Sequence, residues 1–112
     1  MYENVRGRAK RVLVVGASGG DASLPPAAML APDGLLIVME SDAARAMEIR
    51  RDLSRDGLSE RATVIGGDPR RMLYKLAGPF DVIICGPAYL SVRPTLEKLL
   101  APNGVLITNG EP

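Results

Sequence analysis

Short apolar runs alternate with helical patterns along the whole chain. The runs lie at 11–16, 34–40, 62–66, 80–86 and 104–109, and most are rich in Val and Ile. They are apolar at consecutive positions, which is typical of strands in a parallel sheet that is covered on both faces. The pattern therefore predicts five buried parallel strands.

Helical spacing separates several of these strands. Apolar residues recur at intervals of three and four within 42–56, 69–77 and 91–101, as on the buried face of a helix. Asp42 is expected to cap the first of these helices, and Pro69 is expected to open the second. The segment after the first strand supplies the fourth helix of the predicted fold.

Strands that alternate with helices indicate right-handed crossovers, and hence an α/β fold. We expect a Rossmann-like doubly wound, mainly parallel five-stranded sheet of order 3-2-1-4-5, with helices on both faces. Such sheets bind ligands beyond the carboxyl ends of their strands. The candidate site is therefore formed by the loops at 16–23, 40–42, 66–69 and 86–91.

Composition narrows the class of protein. Hydrophobic residues make up 46% of the chain and charged residues 24%, with a formal net charge of +1, one cysteine and no histidine. We expect a single globular domain over 1–112, located in the cytoplasm, with no membrane span and no nucleic acid partner. The lack of histidine excludes catalysis or metal binding by that side chain.

The first loop lies in the stretch VLVVGASGGDASLPP at 12–26. A dinucleotide-binding G-x-G-x-x-G motif that starts at Gly16 would need glycine where Ser18 and Asp21 stand. Asp21 would also repel a pyrophosphate, and the prolines at 25–26 remove N–H donors from the first turn of the helix. The loop therefore favours a ligand without phosphates.

Two acidic residues follow the next strands. Glu40 ends the second strand, where a carboxylate can accept hydrogen bonds from both ribose hydroxyls of a nucleoside. Asp68 follows the third strand and could accept a hydrogen bond from an adenine amino group. The alternative for Glu40 is an ordinary solvated strand end, and for Asp68 it is the N-cap of the next helix.

Over residues 11–110 the chain resembles the class I S-adenosylmethionine-dependent methyltransferases, and among them the catechol and caffeoyl-CoA O-methyltransferases. The resemblance lies in VLVVGASGG, VMESD, DGLSERATVIGGD, PFDVIICGPAY and LLAPNGVLITNG. It implies S-adenosylmethionine as cofactor and S-adenosylhomocysteine as product. Residues 16–20 would face the methionine part of the cofactor, Glu40 the ribose and Asp68 the adenine. The cofactor-binding residues implied are Gly16, Ala17, Ser18, Gly20, Glu40, Ser41, Gly67, Asp68 and Gly86.

The chain departs from the family pattern at the metal site. Metal-dependent members place Asp after the fourth strand and Asp-Asn after the fifth, whereas this chain has Gly86, Thr108 and Asn109. A lone amide oxygen cannot hold Mg²⁺, so we expect no metal. Pro87, Tyr89 and Asn109 are weak candidates for contact with the substrate.

No side chain stands out as a catalytic acid or base, and the catalytic residues stay unassigned. Asp81 is expected at the opposite end of its strand, and Cys85 is expected to be a small core residue. Methyl transfer can proceed largely by positioning, because the sulfonium donor is already activated.

Three functions compete at this point. The preferred one is a metal-independent methyltransferase that acts on a small molecule, with an oxygen as the methyl acceptor. The alternatives are a non-catalytic cofactor- or partner-binding module derived from a methyltransferase and, less favoured, an NAD-dependent oxidoreductase. Because the strand at 104–109 would be an apolar sheet edge, we also expect a homodimer through that strand or through the helix at 91–101.

Overall fold

Five parallel strands form the centre of the fold, in the order β3-β2-β1-β4-β5. The structure is a computed structural model that describes residues 7–16 and 26–108. Its strands are β1 (Ala9–Val15), β2 (Leu30–Glu40), β3 (Ala62–Gly66), β4 (Phe80–Cys85) and β5 (Leu100–Thr108). Its helices are α1 (Pro26–Met29), α2 (Ala43–Arg55), α3 (Pro69–Met72) and α4 (Arg93–Leu99). The predicted strand order is confirmed.

The sheet is buried on both faces. Successive residues of a strand point to opposite sides, so Val12 and Val14 of β1 join one apolar cluster whereas Leu13 and Val15 join the other. Helices α1 and α2 cover the first cluster, and α3 and α4 cover the second. This two-sided burial explains why the strands read as continuous apolar runs.

The predicted helix starts are confirmed for α2 and α3. The Asp42 carboxylate accepts hydrogen bonds from the backbone N–H groups of Ala44 at 2.9 Å and Arg45 at 3.3 Å. Pro69 occupies the first turn of α3, directly after Asp68 as the N-cap. Both helices therefore begin immediately beyond the carboxyl end of a strand.

Two strands begin earlier than the apolar pattern predicts. β2 starts at Leu30 and β5 at Leu100, whereas the runs were expected to start at 34 and 104. The cause is a repeated pentapeptide, LAPDG at 30–34 and LAPNG at 100–104, which pairs with its neighbour through a register shift. Sequence reasoning missed this repeat.

The helices at 69–77 and 91–101 are shorter than expected. α3 gives way to a 3₁₀ turn over Leu73–Lys75, and another 3₁₀ turn over Pro87–Val92 precedes α4. Leu100, expected to be helical, already has extended φ and ψ and opens β5. The last two residues of the predicted helix at 91–101 therefore belong to β5.

Part of the candidate site lies outside the described residues. Ala17, Ser18, Gly20 and Asn109 fall in the segments that the structure leaves out. Within 7–16 and 26–108, none of the helices could span a lipid bilayer.

Candidate functional site

The ends of four strands meet at the carboxyl edge of the sheet. The Gly86 N–H, after β4, donates to the carbonyl of Val15 in β1 at 2.9 Å. The Gly67 N–H, after β3, donates to the carbonyl of Glu40 in β2 at 3.1 Å. These bonds bring the predicted loops together at the edge where doubly wound sheets bind ligands.

A cavity of about 250 Å³ opens between these strand ends. It brings together five residues that the sequence singled out, and it adds Asp42, Arg45 and Ala88. Its lining consists of Gly16, Glu40, Asp42, Arg45, Gly86, Pro87, Ala88 and Tyr89. Ser41, Gly67 and Asp68 are not among its lining residues.

Glu40 is the buried charge of this cavity. The residue is 6% exposed, and its Oε2 accepts a hydrogen bond from the Asp42 N–H at 3.0 Å. An ionised carboxylate has about four acceptor positions. Among the residues that the structure describes, one N–H donates to this group, which leaves capacity for a ligand. The alternative of an ordinary solvated strand end is therefore wrong.

The backbone at the base of the cavity is closely packed. Gly16 has φ of 69°, and a Cβ there would overlap the ring of Tyr89. A Cβ on Gly86 would lie 2.7 Å from the carbonyl oxygen of Gly16. Only glycine fits these two positions, which lets the ends of β1 and β4 approach each other beside Glu40.

Tyr89 is the aromatic wall of the cavity. Its hydroxyl shares a hydrogen bond of 3.0 Å with Ser41 Oγ, and its ring packs on Gly16. The guanidinium carbon of Arg70 lies 4.9 Å from the ring centroid, a distance that allows a cation–π contact. Sequence reasoning assigned Tyr89 only a weak role, because these contacts join residues that are far apart in the chain.

Asp68 lies beside the cavity and caps α3. Its Oδ1 accepts the Arg70 N–H at 3.0 Å and lies 3.5 Å from Arg70 Nη1. The N-cap geometry expected as an alternative is therefore present. The predicted contact with adenine stays a prediction.

Arg45 and Asp42 are cavity residues that sequence reasoning missed as ligand contacts. Both belong to the start of α2, which begins directly after β2 and therefore presents its first turn to the same space. The sequence did contain a signal for them: the N-cap Asp42 comes only two residues after Glu40, which places the start of α2 close to the end of β2. Arg45 adds a positive charge to a lining that also contains two carboxylates.

The remaining acid–base candidates lie away from this chemistry. Asp81 is at the amino end of β4, as expected, where its Oδ2 accepts the backbone N–H groups of Lys10 at 2.7 Å and Arg11 at 3.2 Å. Cys85 is buried in the core, and burial raises the pKa of its thiol. Among the residues that the structure covers, no three His, Cys, Asp or Glu side chains form a group that could hold a metal ion.

Known proteins with similar sequences and structures include O-methyltransferases. No family model matches the chain. A catechol O-methyltransferase of Mycobacterium tuberculosis is 34% identical over 77 residues, which cover 68% of this chain and 35% of that relative. Among solved structures, cofactor-bound Rv0187 from MTB has a TM-score of 0.79 at 27% identity and covers 89% of this chain.

Two further solved structures contain SAM or SAH. TomG from Streptomyces achromogenes, an O-methyltransferase in complex with SAM, has a TM-score of 0.77 at 26% identity. The O-methyltransferase from Bacillus cereus in complex with SAH has a TM-score of 0.74 at 26% identity, and each match covers 89% of this chain. The chain has the class I O-methyltransferase-like fold.

The match covers only part of each relative. The chain spans 48% of the length of the first two structures, 49% of the third and 35% of the curated relative. Within this methyltransferase-like fold, Glu40 and the glycines at 16 and 86 lie at the carboxyl edge of the sheet, where the resemblance had placed the cofactor.

Proposed function

We propose that this chain binds S-adenosylmethionine at the carboxyl edge of its sheet and serves methyl transfer to an oxygen of a small molecule. The proposal rests on the fold, on the cavity between the strand ends, and on relatives and structural neighbours that are O-methyltransferases. The 112 residues would act together as one cofactor-binding domain.

The buried carboxylate of Glu40 is the observation that carries the proposal. A carboxylate at this depth is costly unless its charge is used by hydrogen bonds, and one oxygen already takes the Asp42 N–H. The two hydroxyl groups of a ribose offer the matching pair of donors. The cavity beside Glu40 is lined by glycines, so a nucleoside can lie against the backbone there.

The charges around the cavity favour a ligand without a pyrophosphate. Among the described residues, Glu40 and Asp42 both line it, against one positive side chain, Arg45. A pyrophosphate beside two carboxylates would be repelled, whereas a sulfonium cation would be attracted. This balance supports S-adenosylmethionine over NAD.

The cofactor supplies the chemistry as a methyl group on a positively charged sulfur. The residues of this protein would bind and orient the cofactor. Glu40 would hold the ribose, and the backbone at Gly16 and Gly86 would lie close to the amino-acid tail of the cofactor. Pro87 and Tyr89 would lie towards the methyl acceptor. Methyl transfer then depends on alignment of donor and acceptor.

Calorimetry with S-adenosylhomocysteine, S-adenosylmethionine and NAD tests the proposal. We expect the first two to bind and NAD to give no heat. Tight NAD binding without a response to the other two ligands would overturn it. Binding without methyl transfer to any oxygen acceptor would instead support the non-catalytic module.

We also propose that no divalent metal takes part. The position after β4, which carries Asp in metal-dependent relatives of the resembled family, is Gly86 here, and Asn109 offers only a neutral amide. Addition of EDTA should leave cofactor binding and any methyl transfer unchanged. Loss of either on chelation, with recovery on adding Mg²⁺, would refute this part of the proposal.

For assembly we propose a homodimer in the cytoplasm, paired through β5 or α4. The sheet has two edge strands, β3 and β5. At the β3 edge, Arg50 Nη2 of α2 donates to the carbonyl of Val64 at 3.0 Å. The proposed pairing uses the opposite edge, β5. The apolar side chains Leu106 and Ile107 are already buried at 9% and 2% exposure, so pairing would use backbone groups. Light scattering that gives the monomer mass at high micromolar concentration would contradict it.

A further inference from the structure

Tyr89, which follows β4, contacts residues that follow β1, β2 and β3. Its ring packs on Gly16 after β1, its hydroxyl bonds to Ser41 after β2, and Arg70 after β3 lies over its face. Arg70 also binds the 3₁₀ turn that carries Tyr89, since its Nη2 donates to the carbonyl of Ala88 at 3.1 Å. The ring therefore lies across the adjacent ends of β1 and β2.

The proposed cofactor must cross the same two strand ends. A ligand that places its ribose on Glu40 and its amino-acid tail near Gly16 has to lie over the ends of β2 and β1, where the ring now lies. With the ring in this position the cavity measures about 250 Å³, below the roughly 300–1,000 Å³ of typical small-molecule sites. The ring and such a ligand compete for the same space.

We propose that Tyr89 is a movable wall, which leaves Ser41 and Gly16 when the cofactor binds and then packs against the bound ligand. The inference rests on the function proposed above, because it needs a ligand that reaches from Glu40 to Gly16. It goes beyond that function by assigning the site a closed arrangement and naming the side chain that opens it.

The contacts that hold the ring are weak enough for this exchange. One hydrogen bond between neutral hydroxyls is worth a factor of about 2 to 10 in an equilibrium constant. A cation–π contact at an exposed site contributes a factor of about 2 to 5. For a ligand that binds only the open arrangement, the apparent affinity equals the intrinsic affinity multiplied by the fraction of molecules that are open.

Tyr89→Phe separates a movable wall from a fixed one. The variant keeps the ring and loses only the bond to Ser41, so the open arrangement becomes more populated. Calorimetry should show S-adenosylhomocysteine binding about 2- to 10-fold more tightly than to the wild type. The matched control is Tyr74→Phe, which removes a hydroxyl from a side chain that is 74% exposed and should leave the affinity unchanged. Equal or weaker binding by Tyr89→Phe would overturn the inference.

Fluorine NMR tests the movement directly. The chain has three tyrosines and no tryptophan, so replacing Tyr2 and Tyr74 with Phe and labelling with 3-fluorotyrosine gives a single resonance from Tyr89. We expect this resonance to shift when S-adenosylhomocysteine is added. An unmoved resonance at a concentration where calorimetry shows saturation would refute the movable wall and leave cofactor binding intact. No binding to the wild type would refute the proposed function itself, and the inference with it.

Discussion

One acidic side chain lies at each end of the sheet, Asp81 of β4 at the amino end and Glu40 of β2 at the carboxyl end. The surroundings of the two carboxylates differ. Asp81, at the amino end, accepts two backbone N–H groups, from Lys10 and Arg11. Glu40, at the carboxyl end, is buried beside a cavity and, within 7–16 and 26–108, accepts one, from Asp42. Position in a parallel sheet thus separates a carboxylate with a structural role from one that is free to bind a ligand.

The register of the strands explains the difference. β1 shifts register between Ala9 and Arg11, and β4 shifts between Phe80 and Val82, so the regular ladder starts only beyond these points. Asp81 lies at the shift in β4 and supplies acceptors for the N–H groups at the shift in β1. At the carboxyl end the ladder continues to the strand ends, so Glu40 is not needed as an acceptor within the strands and bonds instead to the Asp42 N–H beyond β2.

The largest expected effect is the loss of ligand binding in Glu40→Ala. Two charge-assisted hydrogen bonds to a ribose are worth on the order of 1.5–3 kcal/mol each, so the affinity for S-adenosylhomocysteine should fall at least about tenfold. Calorimetry measures this, and circular dichroism checks that the fold is retained. Glu40→Gln, which keeps the size of the side chain, should lose less. Unchanged binding with the fold intact would show that the ligand lies elsewhere.

The opposite result is expected for Asp81→Ala. Its two backbone donors would lose their acceptor, which costs on the order of 1–3 kcal/mol of stability and lowers the midpoint of thermal unfolding by several degrees. Binding of S-adenosylhomocysteine at a temperature where the variant is folded should equal that of the wild type. If Asp81→Ala lost affinity while keeping its stability, the contrast between the two ends would be wrong.

Much of this contrast could be predicted from the sequence. The apolar runs predict the parallel strands. Glu40 closes one run and Asp81 lies near the start of another, so parallel strands place them at opposite ends of the sheet. The Asp42 cap is a local signal and was also predictable. The bond between Ser41 and Tyr89 joins residues 48 positions apart, and it depends on how the loops pack, which no local pattern encodes. The early starts of β2 and β5 were missed because apolar periodicity says little about the residues LAPDG and LAPNG.

A smaller effect on ligand binding is expected at Asp68, whose expected role combines ligand binding, as at Glu40, with structural support, as at Asp81. Asp68→Ala should weaken S-adenosylhomocysteine binding by less than Glu40→Ala, because one hydrogen bond to an adenine amino group is at stake. It should also cost about 1 kcal/mol of stability, because the carboxylate caps α3 through the Arg70 N–H. Asp68→Asn is the informative control, since it retains a cap and alters the charge. A loss of stability with no change in affinity would assign Asp68 to the cap alone.

The smallest effect is expected at Asp33, a second acidic residue of the amino end. Its carboxylate pairs with Lys10 Nζ at 2.7 Å, but both side chains are mostly exposed, at 70% and 64%. The hydrogen bond and charge of Lys10 hold the pKa of Asp33 below its ordinary value of 3.8. A lowered carboxylate pKa stabilises the folded chain at pH above the ordinary value, and this stabilisation is lost as the pH falls through the lowered one. Solvent screens exposed pairs strongly, so urea unfolding at neutral pH should barely distinguish Asp33→Ala from the wild type, and any difference should vanish in acid. A loss as large as that of Asp81→Ala would show that the amino end is held by ion pairs and not by backbone hydrogen bonds to a carboxylate.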